Sequence, residues 1–367
     1  MKKVLHYKTK FLNKSETFIS RLVHNHSEYK ASVMCYKPKK FLGELPVYSS
    51  PESGMSSFVN TLFFHFNWPL PFFIKTIREV NPDILHSHFG YDAHKMIGPA
   101  KRTNVPLVTS FYGSDVTRLP FQFDWKRRYM NLAKHGSHFI AASEIMKKQL
   151  IELGFPEEKI SIVPFGLDLS VFDFIEDYNL NNNCMMVGRM VEKKGFEFAI
   201  RAIAKLKNQN LELKLNLFGD GPLRESLEIL TRDLNVENQV SFHGFVDINR
   251  INKEMANHGV LLAPSVVGVD GDQEGLPNTI LEAMARGIPV IASRHAAIPE
   301  AIQNKVTGFL TDEKSPDQIA EVLKQIYDHK FDLDEIRTSA RNYILEKHSV
   351  EKMVNSVESI YDQVLTS

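Results

Sequence analysis

The sequence predicts an α/β protein of two Rossmann-like domains, each a parallel sheet covered by helices on both faces. Three observations carry this expectation. At 367 residues the chain is too long for one comfortable core, and two domains are the natural division. Short apolar runs alternate with amphipathic stretches of helical period, the pattern of repeated β-α units. The alternation breaks at the polar, aperiodic stretch DFIEDYNLNNN (173–183) and then restarts, which marks an interdomain linker. The expected domains are 1–173 and 174–345, with 346–367 a final helix packing back toward the first.

In chain order, Val4–Tyr7 is a short strand. It feeds the loop KTKFLNKSETF and an amphipathic helix, Phe18 to His26, which Ser15 or Thr17 can cap. Ala31–Tyr36 is the next strand. His24 and His26 stand two apart, which does not face two ligands one way on a helix, so no metal is expected there. Residues 55–77 crowd phenylalanines and Trp68 around Pro69 and Pro71. Apolar segments this short are usually core. Two buried helices meeting at a proline corner are therefore expected, with an interfacial patch dipping into lipid as the alternative.

Strand–helix alternation follows: strand Asp83–His88, helix Tyr91–Arg102, strand Pro106–Ser110 ending in FYGSD, helix Phe123–Lys134, strand His138–Ala142, helix Glu144–Leu153 capped by Ser143, and strand Ile160–Val163. Ligands of such sheets bind outside the carboxyl ends of the strands. His86, His88, Gly113 and Asp115 sit at such ends, and the strand is expected to carry the two histidines on opposite faces.

In the second half, strand Cys184–Val187 enters GRMVEKKG and a helix from Phe196 to Asn208. Strand Leu213–Phe218 enters GDGP and a helix from Leu223 to Leu234. Val240–His243 enters GFV, and Val260–Ala263 enters GVDGDQEGLPNTILEAMARG (268–287). Pro289–Ala292 and Gly308–Leu310 are the last strands, and three helical segments follow Pro316.

Composition is that of an ordinary globular protein. Cys35 and Cys184 fall in different halves and pattern with nothing, which suits a reducing cytoplasm. The start, MKKVLHYKTKF, has no apolar run behind its basic residues, so a signal peptide is not expected, nor is a spanning helix anywhere. A net charge of zero hides an asymmetry: residues 1–150 hold 22 Lys+Arg against 10 Asp+Glu, and the remainder 22 against 34. A basic half fits either scattered solvated lysines or an anionic surface.

The chemistry concentrates in 268–287. Pro277 suits a first helical position, and the helix then runs from Asn278 to Arg286 and stops at Gly287. Glu274 lies in the loop before that helix and Glu282 lies within it. Free N–H groups at the N-terminus attract an anion, while each carboxylate can take a pair of sugar hydroxyls. One segment thus offers what a sugar nucleotide needs. Arg189 adds a planar donor fork and Lys194 a mobile point charge, both before a helix N-terminus. Gly219 and Gly221 make a tight turn that allows close backbone approach.

GRMVEKKG, LFGDGP, SFHGFV and EGLPNTILEAMARGIPVIAS, in that order, resemble the nucleotide-sugar half of retaining glycosyltransferases of the GT-B fold. The resemblance is to the large fourth glycosyltransferase family, whose signature is a pair of glutamates with seven residues between them. HSHFG, SFYGSD and VPFGLD are similar to the forms found in that family's first half.

The resemblance implies two Rossmann-like domains facing a central cleft. It implies that Glu282 binds the ribose hydroxyls and that Glu274 meets the donor sugar, with the backbone at Gly275 and Leu276 near sugar and phosphate. Arg189 and Lys194 would neutralise the diphosphate, the backbone at Gly244 and Phe245 would border the base, and His88 would reach the donor sugar. Retention implies same-face attack, with the leaving phosphate helping to deprotonate the acceptor.

Two departures stand out. The first loop has SETFI where many relatives carry Gly-Gly, which resembles the subset that builds exopolysaccharide and lipopolysaccharide units; Ser15 and Thr17 would then replace backbone contacts with hydroxyls. Asp270-Gly271-Asp272 matches the Asp-x-Asp pattern of metal-dependent transferases, but the resemblance implies no catalytic metal and no cofactor beyond the nucleotide-sugar donor. Asp115 and Gly113 are candidate cleft residues on the acceptor side. The expected partners are a nucleotide-sugar donor, UDP favoured over GDP-mannose, a lipid-linked saccharide acceptor and an anionic membrane surface, with no nucleic acid. The expected place is the cytoplasm, peripheral on the inner face of the plasma membrane. A nucleotide-sugar epimerase or hydrolase of the same architecture, or a non-catalytic sugar-nucleotide binder, are the alternatives.

Overall fold

The structure, a computed structural model, describes residues 1–11, 16–38, 45–50, 71–122, 124–269 and 271–366. Ser15, Asp270 and most of the aromatic stretch 55–77 lie outside these residues. The chain forms two compact units, Met1–Leu167 with Ser349–Ser367, and Asp168–His348.

Unit 1 holds a seven-stranded sheet in the order β3-β2-β1-β4-β5-β6-β7. The strands are β1 (Lys2–Phe11), β2 (Tyr29–Pro38), β3 (Val47–Ser49), β4 (Ile84–His88), β5 (Leu107–Ser110), β6 (His138–Ala141) and β7 (Ile160–Ile162). Every pairing is parallel. Short runs such as ILHSH, buried at every position, fit a sheet covered on both faces. The parallel register sets His6 opposite His86. Residues two apart on a strand point the same way, so His86 and His88 share one face, not opposite faces, and their rings stack 4.6 Å apart.

The helix Thr17–His24 begins at Thr17, which is exposed, after an N-cap at Glu16 that makes no side-chain capping bond. Thr17 is therefore the first helical residue and not the cap. Ser143 does cap its helix, accepting the Met146 N–H at 3.2 Å. From the aromatic stretch, the helix Pro71–Val80 is described, and it buries Phe73 and Ile77 in the unit 1 core.

The last helix, Val350–Thr366, packs in unit 1. Ser349 pairs with Leu167 as a parallel bridge, and Tyr361, fully buried, meets the Tyr29 ring edge-on at 5.0 Å.

Unit 2 holds a six-stranded sheet in the order β10-β9-β8-β11-β12-β13. Its strands are β8 (Asn183–Val187), β9 (Lys214–Phe218), β10 (Val240–Gly244), β11 (Val260–Ala263), β12 (Val290–Ser293) and β13 (Phe309–Thr311), again all parallel. Its core gathers Leu215 and Leu217 of β9 against Phe196, Ile200 and Ile203 of the helix Phe196–Asn208. Burying each such side chain contributes roughly 1.5–3 kcal/mol.

The stretch 173–183 is not a free linker. The Arg337 guanidinium lies 4.0 Å from the Tyr178 ring centroid and 5.0 Å from that of Phe174, and it donates to the Ile175 carbonyl. Its polar sequence hides a strap whose backbone finds partners within unit 2.

Candidate functional site

Each sheet reverses strand order once, between β1 and β4 in unit 1 and between β8 and β11 in unit 2. Connections leave such a point in opposite directions and open a crevice at the carboxyl ends of the strands, where ligands of α/β sheets bind. In unit 2 the flanking loops carry Arg189, Lys193 and Lys194 after β8, and Glu274 after β11. The second loop runs directly into the helix Asn278–Arg286.

The Glu274 carboxylate lies 3.1 Å from the Lys194 ammonium and 3.5 Å from that of Lys193. Burial pushes its carboxyl up, but the two ammonium groups outweigh this and hold it below its ordinary value. Lys193 also pairs with Asp272 at 3.1 Å, so the described carboxylate of the Asp-x-Asp pattern faces an ammonium. The loops are tied through their backbones as well. The Val266 N–H donates to the Lys193 carbonyl at 2.9 Å, and the Val269 N–H to Glu192 Oε2 at 3.0 Å. Arg189 is exposed beside them.

Pro277 is the N-cap of the following helix, one position earlier than its sequence suggested, and Asn278 is the first helical residue. Asn278 and Glu282, four apart, share a helix face. Glu282 is 4% exposed, and Asn278 Oδ1 is buried without a hydrogen-bond partner among the described residues. A buried acceptor left unpaired costs free energy until a donor such as a hydroxyl supplies the bond. Gly275 and Leu276, half-buried, connect Glu274 to the helix start, whose N–H groups attract anions.

The glycines of the neighbouring loops serve loop-on-loop packing. Gly219 has φ +138°, and a Cβ there would meet the Gly188 carbonyl oxygen at 1.8 Å. Its N–H donates to the Gly244 carbonyl at 2.8 Å. Gly221 donates to Asp220 Oδ1 at 2.7 Å and abuts Met190. Both N–H groups are thus engaged within the unit. Phe245, just past β10, is 69% exposed. A groove of about 580 Å³ in this unit runs between the helices Phe196–Asn208 and Arg224–Asp233. It takes in Glu192, Gly195 and Val266 of the crevice loops but neither Glu274 nor Glu282.

In unit 1, His88 is fully buried. Its Nδ1 lies 2.6 Å from the Tyr112 hydroxyl and its Nε2 3.0 Å from His6 Nδ1. The chain continues from His6 Nε2 to His26 Nε2 at 3.0 Å and from His26 Nδ1 to Glu358 at 2.9 Å. The Glu358 carboxylate only accepts, so each ring is fixed in turn: His26 donates to Glu358, His6 to His26, His88 to His6 and Tyr112 to His88. Both ring nitrogens of His88 are therefore committed inside the unit.

His86 pairs separately with Tyr361 and Ser110, at 2.6 and 2.7 Å. Burial lowers the pKa of His6 and His88 well below the ordinary histidine value, and that of His86 to about 3. His6, His86 and His88 bring ring nitrogens within 4.8 Å of one another. That spacing would admit an ion, but these rings already pair within the protein.

Asp115 is also buried. Its carboxylate accepts N–H groups from Tyr112, Gly113 and Gly90 at 3.1, 2.9 and 3.1 Å. It anchors the FYGSD loop to the start of the helix Gly90–Thr103, with both carboxylate oxygens engaged. Within β1, buried Lys8 donates to the Tyr91 hydroxyl at 2.9 Å and lies 3.6 Å from both Glu16 and Asp92.

Sequence reasoning overlooked Lys193, whose only signal was its neighbour Lys194. It also overlooked His295, which accepts the Glu274 N–H, and the His6–His26–Glu358 chain, whose members are distant in sequence.

The family description "Glycosyl transferases group 1" matches residues 175–346, and "Glycosyltransferase Family 4" matches residues 21–171. The amylovoran biosynthesis glycosyltransferase AmsK of Erwinia amylovora is 31% identical over 264 residues, 71% of this chain and 65% of AmsK's own length. Two further curated relatives are matched over 64% and 57% of their lengths. The N-acetyl-alpha-D-glucosaminyl L-malate synthase of Bacillus anthracis is 27% identical over 308 residues, 78% of this chain and 76% of that protein. Among solved structures, Anabaena HepE (Alr3699) in complex with UDP superposes with a TM-score of 0.82 at 18% identity, covering 99% of this chain and 100% of HepE. With its two parallel-stranded units and the glutamate pair of its second unit, the chain belongs to the family 4 glycosyltransferases and has the GT-B fold.

Proposed function

We propose that this protein is a retaining, metal-independent hexosyltransferase that moves a sugar from a nucleotide-diphosphate sugar to a growing, lipid-linked cell-surface saccharide. The observation that carries the reading is the adjacency of Glu274 and Lys194 at the unit 2 switch point. A donor sugar and its diphosphate are covalent neighbours, so a carboxylate for hydroxyls and an ammonium for phosphate must also be neighbours. Cleaving the sugar–phosphate bond builds negative charge on the diphosphate, and preorganised cations and helix N–H groups stabilise it. Arg189, Lys194 and the start of the helix Asn278–Arg286 supply such groups. Glu282, with the unsatisfied Asn278 acceptor on the same face, takes the ribose hydroxyls.

UDP is the favoured nucleotide, supported by the UDP held in HepE, with GDP-mannose the other option. The similarity to AmsK, an amylovoran biosynthesis glycosyltransferase, supports glycosyl transfer in a biosynthetic assembly. Among the described residues no helix is long and apolar enough to cross a membrane. The basic first 150 residues would draw the protein to the anionic inner face of the plasma membrane, where lipid-linked acceptors sit.

The test is titration with UDP and turnover of UDP-sugars, with EDTA present throughout. Glu282→Ala should weaken UDP binding about tenfold or more, the effect of leaving polar partners unpaired. Glu274→Ala should mainly lower kcat. The reverse pattern, or activity lost to EDTA, refutes the assignment. Product formed without an acceptor would favour a hydrolase.

A further inference from the structure

We propose that His295 and Glu313 form a clamp that sets the position of Glu274, making His295 a positioning residue for the donor site. This rests on the assignment of Glu274 to that site. Residues 264–269 and 271–277, between β11 and the next helix, have no regular structure. One side of this loop is tied to the loop after β8 through Lys193 and Glu192. The other side is held by two residues that follow different strands, His295 after β12 and Glu313 after β13.

His295 is 1% exposed. Its Nε2 lies 3.2 Å from the Glu274 backbone nitrogen, and its Nδ1 2.7 Å from Glu313 Oε1. The other Glu313 oxygen accepts the Val267 N–H at 3.0 Å. A backbone N–H only donates and a carboxylate only accepts. One tautomer meets both demands: neutral, with the proton on Nδ1 and the lone pair on Nε2. A single carboxylate thus holds both ends of the loop, Val267 directly and Glu274 through the imidazole. The logic is that of a carboxylate fixing the tautomer of a histidine that in turn orients the working group.

The clamp makes an unusual prediction for Glu313→Gln. The amide has nearly the carboxylate's shape and still accepts from Val267 through its oxygen. It presents N–H₂ to His295 Nδ1, however, and moves the ring proton to Nε2, where it opposes the Glu274 N–H. A nearly isosteric change should then release Glu274. His295→Gln, by contrast, keeps an acceptor for Glu274 in its Oε1 and a donor for Glu313 in its amide N–H₂.

The experiment is hydrogen exchange by mass spectrometry on the full chain, with UDP titration in parallel. Glu313→Gln and His295→Ala should each speed exchange of the 267–274 amides about tenfold, the scale of one lost buried hydrogen bond. His295→Gln should exchange like wild type, and adding Glu313→Gln to it should speed exchange again, because two amide N–H₂ groups then face each other unless one loop N–H is released. UDP affinity should follow the same order. Equal exchange in all variants overturns the clamp, as does His295→Gln exchanging as fast as His295→Ala, since packing alone would then be at work. Failure of every chain, wild type included, to bind UDP would strike the donor assignment, and exchange would still decide the clamp.

Discussion

Acid should destabilise unit 1 through its buried histidines, and one substitution isolates the effect. His86 is fully buried between Tyr361 and Ser110, and burial holds its pKa down to about 3. In the unfolded chain it titrates near the ordinary value of about 6.5. Between these values the unfolded state binds a proton that the folded state does not, so stability rises with pH across that window. The contribution is fully present above about 6.5 and is lost as pH falls toward 3.

From pH 7 to 5.5 the loss is about 1.2 kcal/mol for this one group, and the slope approaches about 1.4 kcal/mol per pH unit. His6 and His88 are depressed in the same direction. They add to the same loss as the pH falls. Both tryptophans, Trp68 and Trp125, fall within residues 1–167, so fluorescence during urea unfolding follows unit 1. His86→Asn should lower stability at pH 7 yet flatten its dependence between pH 5 and 6.5 by about one proton's slope. An unchanged slope would refute the claim that His86 is held neutral.

Two further outcomes follow from the geometry. Gly219→Ala forces a Cβ against the Gly188 carbonyl at a positive φ and should cost unit 2 about 3 kcal/mol or more, seen as a lower midpoint in calorimetry; a shift under one degree would contradict the packing. Glu358→Ala leaves His26 and the Ser27 and Glu28 N–H groups without their acceptor and should destabilise unit 1 by about 2–3 kcal/mol, and wild-type stability by fluorescence would argue against the tautomer chain.

The parallel sheets were legible because β-α alternation is a local signal, and so was the crevice-bearing loop, since Glu274, Pro277 and Glu282 lie within one short segment. The rest depended on distance in the chain or on partners. His6 meets His86 only through the β1–β4 register, and Glu358 reaches His26 from the far end of the sequence. The aperiodic stretch 173–183 suggested a linker because polar residues usually face water, yet Arg337 docks it through its ring faces and carbonyls. Asp115 was legible as a residue that follows a strand, but not the three backbone N–H groups that tie its carboxylate. Lys193 and His295 gave no pattern, because a charge or a histidine near a loop acquires meaning only when its partner is known.

The placement of Val350–Thr366 in unit 1 bears on how the protein is made. Unit 2 is one continuous segment, whereas unit 1 is interrupted by it. During synthesis from the N-terminus, residues 1–167 emerge first but lack the helix that brings Glu358 and Tyr361 to His26, His86 and Tyr29. Unit 2, although it follows, has all its parts sooner. The N-terminal unit is therefore the last to be completed, reversing the usual order of domain folding on the ribosome. Until the last helix arrives, the nascent unit 1 sheet must wait with that face covered only in part, by the helix Thr17–His24.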